Sequence, residues 1–144
     1  MLNASCVRGT RSSDGCGRYF SPAKEIDVLR VALVATSYPL EENPSPPLGV
    51  TYVAAAFEAT GAEVRIFDYI VTRYSPEKIS EQLKNFQPDA VGATSVTMNF
   101  YEAQNILRDV KSCNPEIITI MGGPHVSFAA VETLRQYPEI DLIV

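Results

Sequence analysis

The stretch that decides the fold is the run Asp27-Val-Leu-Arg-Val-Ala-Leu-Val-Ala35, together with EVRIFD (63–68), AVGAT (90–94) and IITIM (117–121). The first run is almost continuously apolar, which is typical of a strand covered on both faces. Helical patterns separate the four segments, and residues 142–144 begin a fifth strand. This alternation predicts βαβ units and therefore a parallel sheet. We predict a doubly wound α/β fold with helices on both faces of the sheet.

Helix signals lie between the predicted strands. The first helix is predicted over residues 48–60, and the second begins after the capping residue Ser75. Asn99 is predicted to cap the third helix, with Glu102 as its capping-box partner. After Gly122-Gly123-Pro124 we predict one helix that runs to Tyr137. The apolar stripes expected to face the sheet are Val53, Ala54 and Phe57, then Ile79, Leu83 and Phe86, then Ala103, Ile106, Leu107 and Val110.

Composition excludes several classes of protein. The chain has 144 residues, of which 46% are hydrophobic, enough for one domain with its own core. Its net charge of −5 argues against nucleic-acid and membrane partners. Cysteine occurs only at positions 6, 16 and 113, without the spacing of a zinc or iron–sulfur site. Sparse, odd cysteines predict a reducing compartment, so we expect a cytoplasmic protein without a metal site formed by side chains.

The first 26 residues differ from the rest of the chain. They are rich in Ser, Gly and Arg, show no periodicity and carry a charge of +2, whereas the remaining residues carry −7. We interpret residues 1–26 as a flexible leader and residues 27–144 as the folded domain. A short basic arm, or a redox pair formed by Cys6 and Cys16, is the alternative.

Ligands of parallel α/β sheets bind beyond the carboxyl ends of the strands, so the loops there were compared with known chemistries. The loop after the first strand has neither G-x-G-x-x-G nor G-x-x-x-x-G-K-[ST], which excludes dinucleotide-binding and P-loop motifs. The third strand ends in Thr94-Ser95, not in the Asp of a phospho-receiver domain. An FMN site remains an alternative, because Thr36 and Ser37 supply hydroxyls.

Two other loops are more informative: Ser95-Val96-Thr97-Met98-Asn99-Phe100 after strand three, and Gly122-Gly123-Pro124-His125-Val126 after strand four. Hydroxyls in one loop and adjacent glycines in the next suit a ligand that passes close to bare backbone. Helix N-termini follow both loops and could donate N–H groups to an anion. Ordinary turn formation is the competing explanation, because Gly-Gly-Pro interrupts regular structure anywhere.

Five motifs in order give the chain a family resemblance. They are Pro-Pro-Leu-Gly (46–49) followed by Ala54-Ala55, then EVRIFD (63–68), PDAVGATS (88–95), GGPH (122–125) and PEID (138–141). Together they resemble the N-terminal cobalamin-binding domain of B12-dependent radical SAM proteins over about residues 27–144. The resemblance implies a flavodoxin-like (Rossmann-like), doubly wound five-stranded parallel sheet, for which we expect the strand order 2-1-3-4-5. It also implies a cobalamin-binding module that holds its cofactor with the dimethylbenzimidazole tail extended.

The resemblance also implies roles for particular residues. Ser95 and Thr97 would hydrogen-bond the nucleotide tail, while Gly122 and Gly123 would let it pass and Pro124 would fix the turn. A large residue at position 123 is expected to block the tail and leave the fold intact. Met98 and the loop after strand one would lie near the corrin. The full candidate set is Ser37, Tyr38, Pro39, Leu40, Ser95, Val96, Thr97, Met98, Asn99, Gly122, Gly123, Pro124 and His125.

Two departures from related families shape the expected function. The D-x-H-x-x-G motif, which gives cobalt a histidine in cobalamin-dependent mutases, is absent, and His125 is the only histidine. We therefore expect base-off cobalamin without a histidine ligand. The C-x3-C-x2-C motif of a radical SAM barrel is also absent, so the [4Fe–4S] cluster and SAM are expected in a barrel that continues the parent protein.

We accordingly expect the domain to be truncated at or in strand five and not to be catalytic by itself, while the parent would be a methyltransferase-type enzyme. The alternatives are a flavodoxin-like domain for FMN or another nucleotide, and a non-catalytic interaction domain.

Overall fold

A computed structural model describes residues 28–37 and 45–144. The predicted leader and three candidate residues, Tyr38, Pro39 and Leu40, lie outside the described residues. The described elements are β1 (Arg30–Ala35), α1 (Leu48–Ala59), β2 (Glu63–Asp68), α2 (Pro76–Phe86), β3 (Ala90–Thr94), α3 (Phe100–Cys113), β4 (Ile118–Gly122), α4 (Pro124–Ser127), α5 (Ala130–Gln136) and β5 (Leu142–Ile143).

The five strands form one parallel sheet in the order β2-β1-β3-β4-β5, as predicted. Side chains of β1 alternate between the two faces. Ala32 and Val34 pack with α2 and α3 in the larger core cluster, whereas Val31 and Leu33 pack with α1 in the smaller one. Burial on both faces explains why β1 is nearly free of polar residues.

The predicted apolar stripes of α2 and α3 are buried, because their spacing returns each residue to the face that meets the sheet. In α1 the stripe is displaced. Val50 and Ala54 are buried, while Val53 is 47% exposed, so its predicted core position is wrong. Val50, Ala54 and the partly buried Phe57 follow the spacing i, i+4, i+7, which places Val53 to one side of the contact with β1.

The single helix predicted after Gly122-Gly123-Pro124 is also wrong, because the segment forms two short helices. The chain leaves the helical conformation at Ala129, whose φ is −133°, and α5 begins at the next residue. The break allows both Val126 in α4 and Thr133 in α5 to be buried. Within the described ranges, no helix has the length and apolar character needed to cross a membrane.

The two-residue strand β5 is fixed to the sheet by polar contacts at its amino end. The Asp141 carboxylate accepts hydrogen bonds from the Thr119 backbone N–H at 2.8 Å and the Thr119 hydroxyl at 3.0 Å. It also forms an ion pair of 2.6 Å with Lys111. Burial by itself would raise the pKa of Asp141, but the bonds from Lys111 and Thr119 outweigh it and hold that pKa below its ordinary value.

We predict that Asp141→Ala lowers the free energy of unfolding by about 1–2 kcal/mol at neutral pH, because hydrogen bonds to a charged group are lost. Since the folded-state pKa of Asp141 is lowered, its contribution is present above the ordinary carboxyl pKa and is lost as the pH falls through the folded-state value. Urea unfolding of both proteins at neutral and acidic pH measures this. Glu58→Ala removes an exposed carboxylate from α1 and is the control; an equal acid dependence of the wild type and the Asp141 variant would contradict the assignment.

Candidate functional site

An open cleft of about 250 Å³ lies beyond the carboxyl ends of β1 and β3. From β1 the chain crosses to β2 on one side, while β3 lies on the other, so the cleft is at the point where the strand order reverses. Parallel α/β sheets bind their ligands at this point. The cleft is lined by Ala35, Thr36, Ser45, Pro46, Pro47, Leu48, Gly49, Val50, Ile70, Thr94, Val96 and Asn99.

Ser95 is the one buried side-chain polar group of the described chain whose hydrogen-bonding capacity is unused. The residue is fully buried, and its hydroxyl has no partner among the described residues. Its backbone N–H donates to the Gly122 carbonyl oxygen at 2.8 Å, which ties the third-strand loop to the end of β4. Buried hydroxyls in native proteins nearly always have a partner, so the unpartnered hydroxyl marks Ser95 as a candidate ligand contact.

The backbone conformation at Gly123 and its close contact with Ser95 both require glycine at this position. Its φ is +109°, and a Cβ added there would lie 2.3 Å from the Ser95 carbonyl oxygen and 2.9 Å from the Ser95 nitrogen. Only glycine therefore permits this approach of the two loops. The expectation that a large residue at this position would leave the fold intact is wrong, because the space beside Gly123 is filled by backbone.

His125 is held by its neighbours in α3 and the third-strand loop. Its Nδ1 lies 3.1 Å from the Thr97 hydroxyl oxygen, and its ring centroid lies 4.6 Å from that of Phe100. The side chain is half-buried. The described residues contain no group of three His, Cys, Asp or Glu side chains that could hold a metal ion.

Asn99 begins α3 as predicted, but its side chain does not cap the helix. Its amide oxygen accepts from the Val96 N–H at 2.8 Å, and its amide nitrogen donates to the Thr36 hydroxyl at 2.8 Å. Glu102 accepts from the Ser37 hydroxyl at 3.0 Å, so the predicted capping box is wrong. Tertiary contacts with the end of β1 take the place of the local bonds. Thr36, considered from the sequence only for an FMN site, and Glu102, considered only as a capping residue, thereby join the candidate site.

The remaining candidates differ in their surroundings. Met98 is 51% exposed, and Pro124 is exposed at the first position of α4. Val96 lines the cleft. Gly122 is close to Val144, whose Cγ2 atom would lie 3.2 Å from an added Cβ. The structure thus brings together the loops after β1, β3 and β4 at one edge of the sheet.

Comparison with known families identifies the domain. The profile of the B12 binding domain matches residues 41–144. The chain belongs to the B12-binding domain family. The resemblance inferred from the sequence motifs is thereby confirmed.

Relatives of this B12-binding domain include proteins named as a methyltransferase and as a cyclase. The uncharacterized methyltransferase PH0819 of Pyrococcus horikoshii is 35% identical over 99 residues, which are 69% of this chain and 21% of that protein. The anaerobic magnesium-protoporphyrin IX monomethyl ester cyclase of Rubrivivax gelatinosus is 35% identical over 100 residues, 69% of this chain and 18% of that protein. The chain thus spans about a fifth of the length of the curated relatives it matches.

The fold of the B12-binding domain also matches a solved structure, that of the cobalamin-dependent S-adenosylmethionine radical enzyme OxsB with aqua-cobalamin and S-adenosylmethionine bound. The TM-score is 0.65 at 23% identity, over 80% of this chain and 16% of that one. The flavodoxin-like, Rossmann-like fold class predicted from the sequence is confirmed.

We predict that Gly123→Ala lowers the free energy of unfolding of the B12-binding domain by about 1–3 kcal/mol. Alanine is strained at positive φ, and its Cβ meets the Ser95 backbone. Thermal unfolding of the unliganded chain measures the change. Gly49→Ala is the matched control: Gly49 lies in the first turn of α1, and nothing lies within 4 Å of an added Cβ. That variant is expected to be neutral or more stable by up to about 1 kcal/mol. Equal effects of the two substitutions would contradict the role of the Ser95 contact.

Proposed function

We propose that this B12-binding domain holds cobalamin in the base-off form across the carboxyl edge of its sheet, as the cofactor-carrying part of a radical SAM enzyme of methyltransferase type. The observation that carries the proposal is the buried, unpartnered hydroxyl of Ser95 in a member of this family. Its chain neighbours Thr94 and Val96 line the cleft at the switch point. A ligand group that hydrogen-bonds Ser95 would satisfy the one buried hydroxyl that has no partner among the described residues.

The residues present fit the predicted cofactor in different ways. Ser95 and Thr97 supply hydroxyls for the nucleotide tail, and exposed Met98 supplies apolar surface beside the site. Ser37 would lie near the corrin. Gly123 acts on the site through its contact with Ser95, which sets the separation of the two loops.

Bound cobalamin would supply a cobalt centre that can carry a methyl group, and the chain's own residues would hold and orient it. Within the described chain, the one histidine is engaged with Thr97 and Phe100 rather than with acidic partners of the kind that orient metal-bound histidines. We therefore propose that no protein nitrogen binds the cobalt. A radical SAM barrel in the same polypeptide, with its [4Fe–4S] cluster and SAM, would supply the reaction, as the greater length of the relatives suggests.

We predict that Ser95→Ala weakens binding of hydroxocobalamin by about two- to tenfold, because one hydrogen bond to the ligand is lost. The unliganded variant is expected to be as stable as the wild type or more stable by up to about 1 kcal/mol, since an unsatisfied buried hydroxyl is removed. Absorbance titration and thermal unfolding measure the two effects.

Ser112→Ala is the control for Ser95→Ala, because Ser112 bonds only to the Arg108 carbonyl oxygen on the exposed side of α3. It should leave affinity unchanged. A Ser95 variant that is less stable without ligand and binds cobalamin normally would refute the ligand role. A wild-type chain that retains no corrinoid after desalting would refute the proposed function.

We predict that the Co(II) form of the bound cobalamin shows no nitrogen superhyperfine splitting in its EPR spectrum, because neither the dimethylbenzimidazole nor a histidine binds the cobalt. Free cob(II)alamin at neutral pH, whose own base is bound, provides the positive control. Splitting that is present in the wild type and absent from His125→Ala would show instead that His125 is the ligand.

A further inference from the structure

A network of hydrogen bonds ties the carboxyl end of β1 to the beginning of α3. The Asn99 amide nitrogen donates to the Thr36 hydroxyl at 2.8 Å and to the Ser37 carbonyl oxygen at 3.4 Å. The Ser37 hydroxyl donates to the two carboxylate oxygens of Glu102, at 3.0 and 3.3 Å. Thr36 and Asn99 both line the cleft, so the network fixes part of its wall.

The network also fixes the direction in which the Thr36 and Ser37 hydroxyls donate their hydrogens. A hydroxyl has one hydrogen to donate and two lone pairs that accept. The Thr36 hydroxyl donates to the Thr94 carbonyl oxygen at 3.4 Å, and the hydrogen of Ser37 goes to the Glu102 carboxylate. Neither hydroxyl therefore has a hydrogen left for a ligand, while each oxygen keeps a lone pair.

Burial and the charge of Glu102 stabilise these hydrogen bonds. Thr36 and Asn99 are each only 4% exposed, so water does not compete freely for their hydrogen bonds. The carboxylate of Glu102 can only accept when it is ionised, so it holds the hydrogen of Ser37 toward itself. A charged acceptor makes that bond stronger than one between two neutral groups.

We propose that Asn99 and Glu102 are positioning residues. They hold the Thr36 hydroxyl of the cleft wall and the adjoining Ser37 hydroxyl as hydrogen-bond acceptors, so that this edge of the site selects a primary amide of the bound corrinoid over a carboxylate. This inference rests on the proposed binding of cobalamin, whose corrin carries primary amide side chains. An amide NH₂ donates to these oxygens. A carboxylate has no hydrogen to donate and is repelled by the charge of Glu102.

The first test compares Glu102→Ala, Ser37→Ala and the double variant in the full chain, with hydroxocobalamin as the probe. Each single substitution is expected to raise the Kd about tenfold. Ser37→Ala removes the oxygen that accepts from the ligand, and Glu102→Ala removes the acceptor that holds the Ser37 hydrogen away from the ligand. The Kd of the double variant should not exceed the higher of the two single-variant Kd values, since both changes act on the same interaction. Glu102→Gln keeps an accepting oxygen for Ser37 and should restore most of the affinity.

Glu132→Ala is the matched control, because Glu132 occupies the first turn of α5 and is exposed. It should bind as the wild type does. Thermal unfolding of each unliganded variant separates loss of affinity from loss of fold. If Glu102→Ala does not fold, the comparison with the wild type uses Ser37→Ala alone, because Ser37 is only half-buried.

The second test measures selectivity with cobalamin derivatives in which a single peripheral amide has been hydrolysed to a carboxylate. The wild type should bind at least one of them about tenfold more weakly than hydroxocobalamin. The double variant Ser37→Ala/Glu102→Gln, which lacks both the Ser37 oxygen and the Glu102 charge, should lose most of that difference. Equal discrimination by the wild type and Ser37→Ala/Glu102→Gln, or additive effects of Ser37→Ala and Glu102→Ala on the Kd for hydroxocobalamin, would overturn the inference. Failure of the wild type to bind hydroxocobalamin at all would overturn the proposed function itself.

Discussion

The close approach of the Gly123 backbone to the Ser95 backbone is the constraint on which the arrangement of the site depends. Parallel pairing places Thr94 beside Gly122, so the loops after β3 and β4 leave the sheet next to each other. Because Gly123 has no Cβ and adopts a positive φ, the second loop can pack directly onto the first. The contact fixes the backbone of Ser95, whose buried hydroxyl has no partner among the described residues and supports the proposed function.

Two buried polar residues at this edge, Ser95 and Asn99, show how structural and ligand-facing roles can be distinguished. Both side chains were candidates for the ligand, and both are almost completely buried. Asn99 uses its amide oxygen and nitrogen on groups of the protein itself, whereas the hydroxyl of Ser95 has no partner in the described chain. Since an unmatched buried hydroxyl is costly, its presence favours a ligand, while a satisfied amide favours a structural role.

Polar contacts also explain how a short strand remains in register. β5 has only two residues, so its backbone bonds alone would hold it weakly. The Asp141 carboxylate adds bonds to Thr119 and Lys111, which come from β4 and α3. The end of the described sheet is thus fixed by bonds to a carboxylate, and the strength of these bonds depends on its ionisation. In contrast, β1 is held by apolar burial on both faces.

The amino-acid pattern was sufficient to predict the parallel sheet and the loops that form the site, because apolar periodicity and turn residues act locally and recur at each βαβ unit. The strand order was predicted together with the family resemblance. The ordered motifs were sufficient to indicate the family. Packing in the folded chain turns Asn99 and Glu102 away from helix capping toward Thr36 and Ser37, and it places Val50 rather than Val53 in the core. It also decided that the space beside Gly123 belongs to Ser95. These outcomes depend on contacts between residues far apart in the chain, where a side chain exchanges a local partner for a distant one, and local spacing carries no information about that exchange.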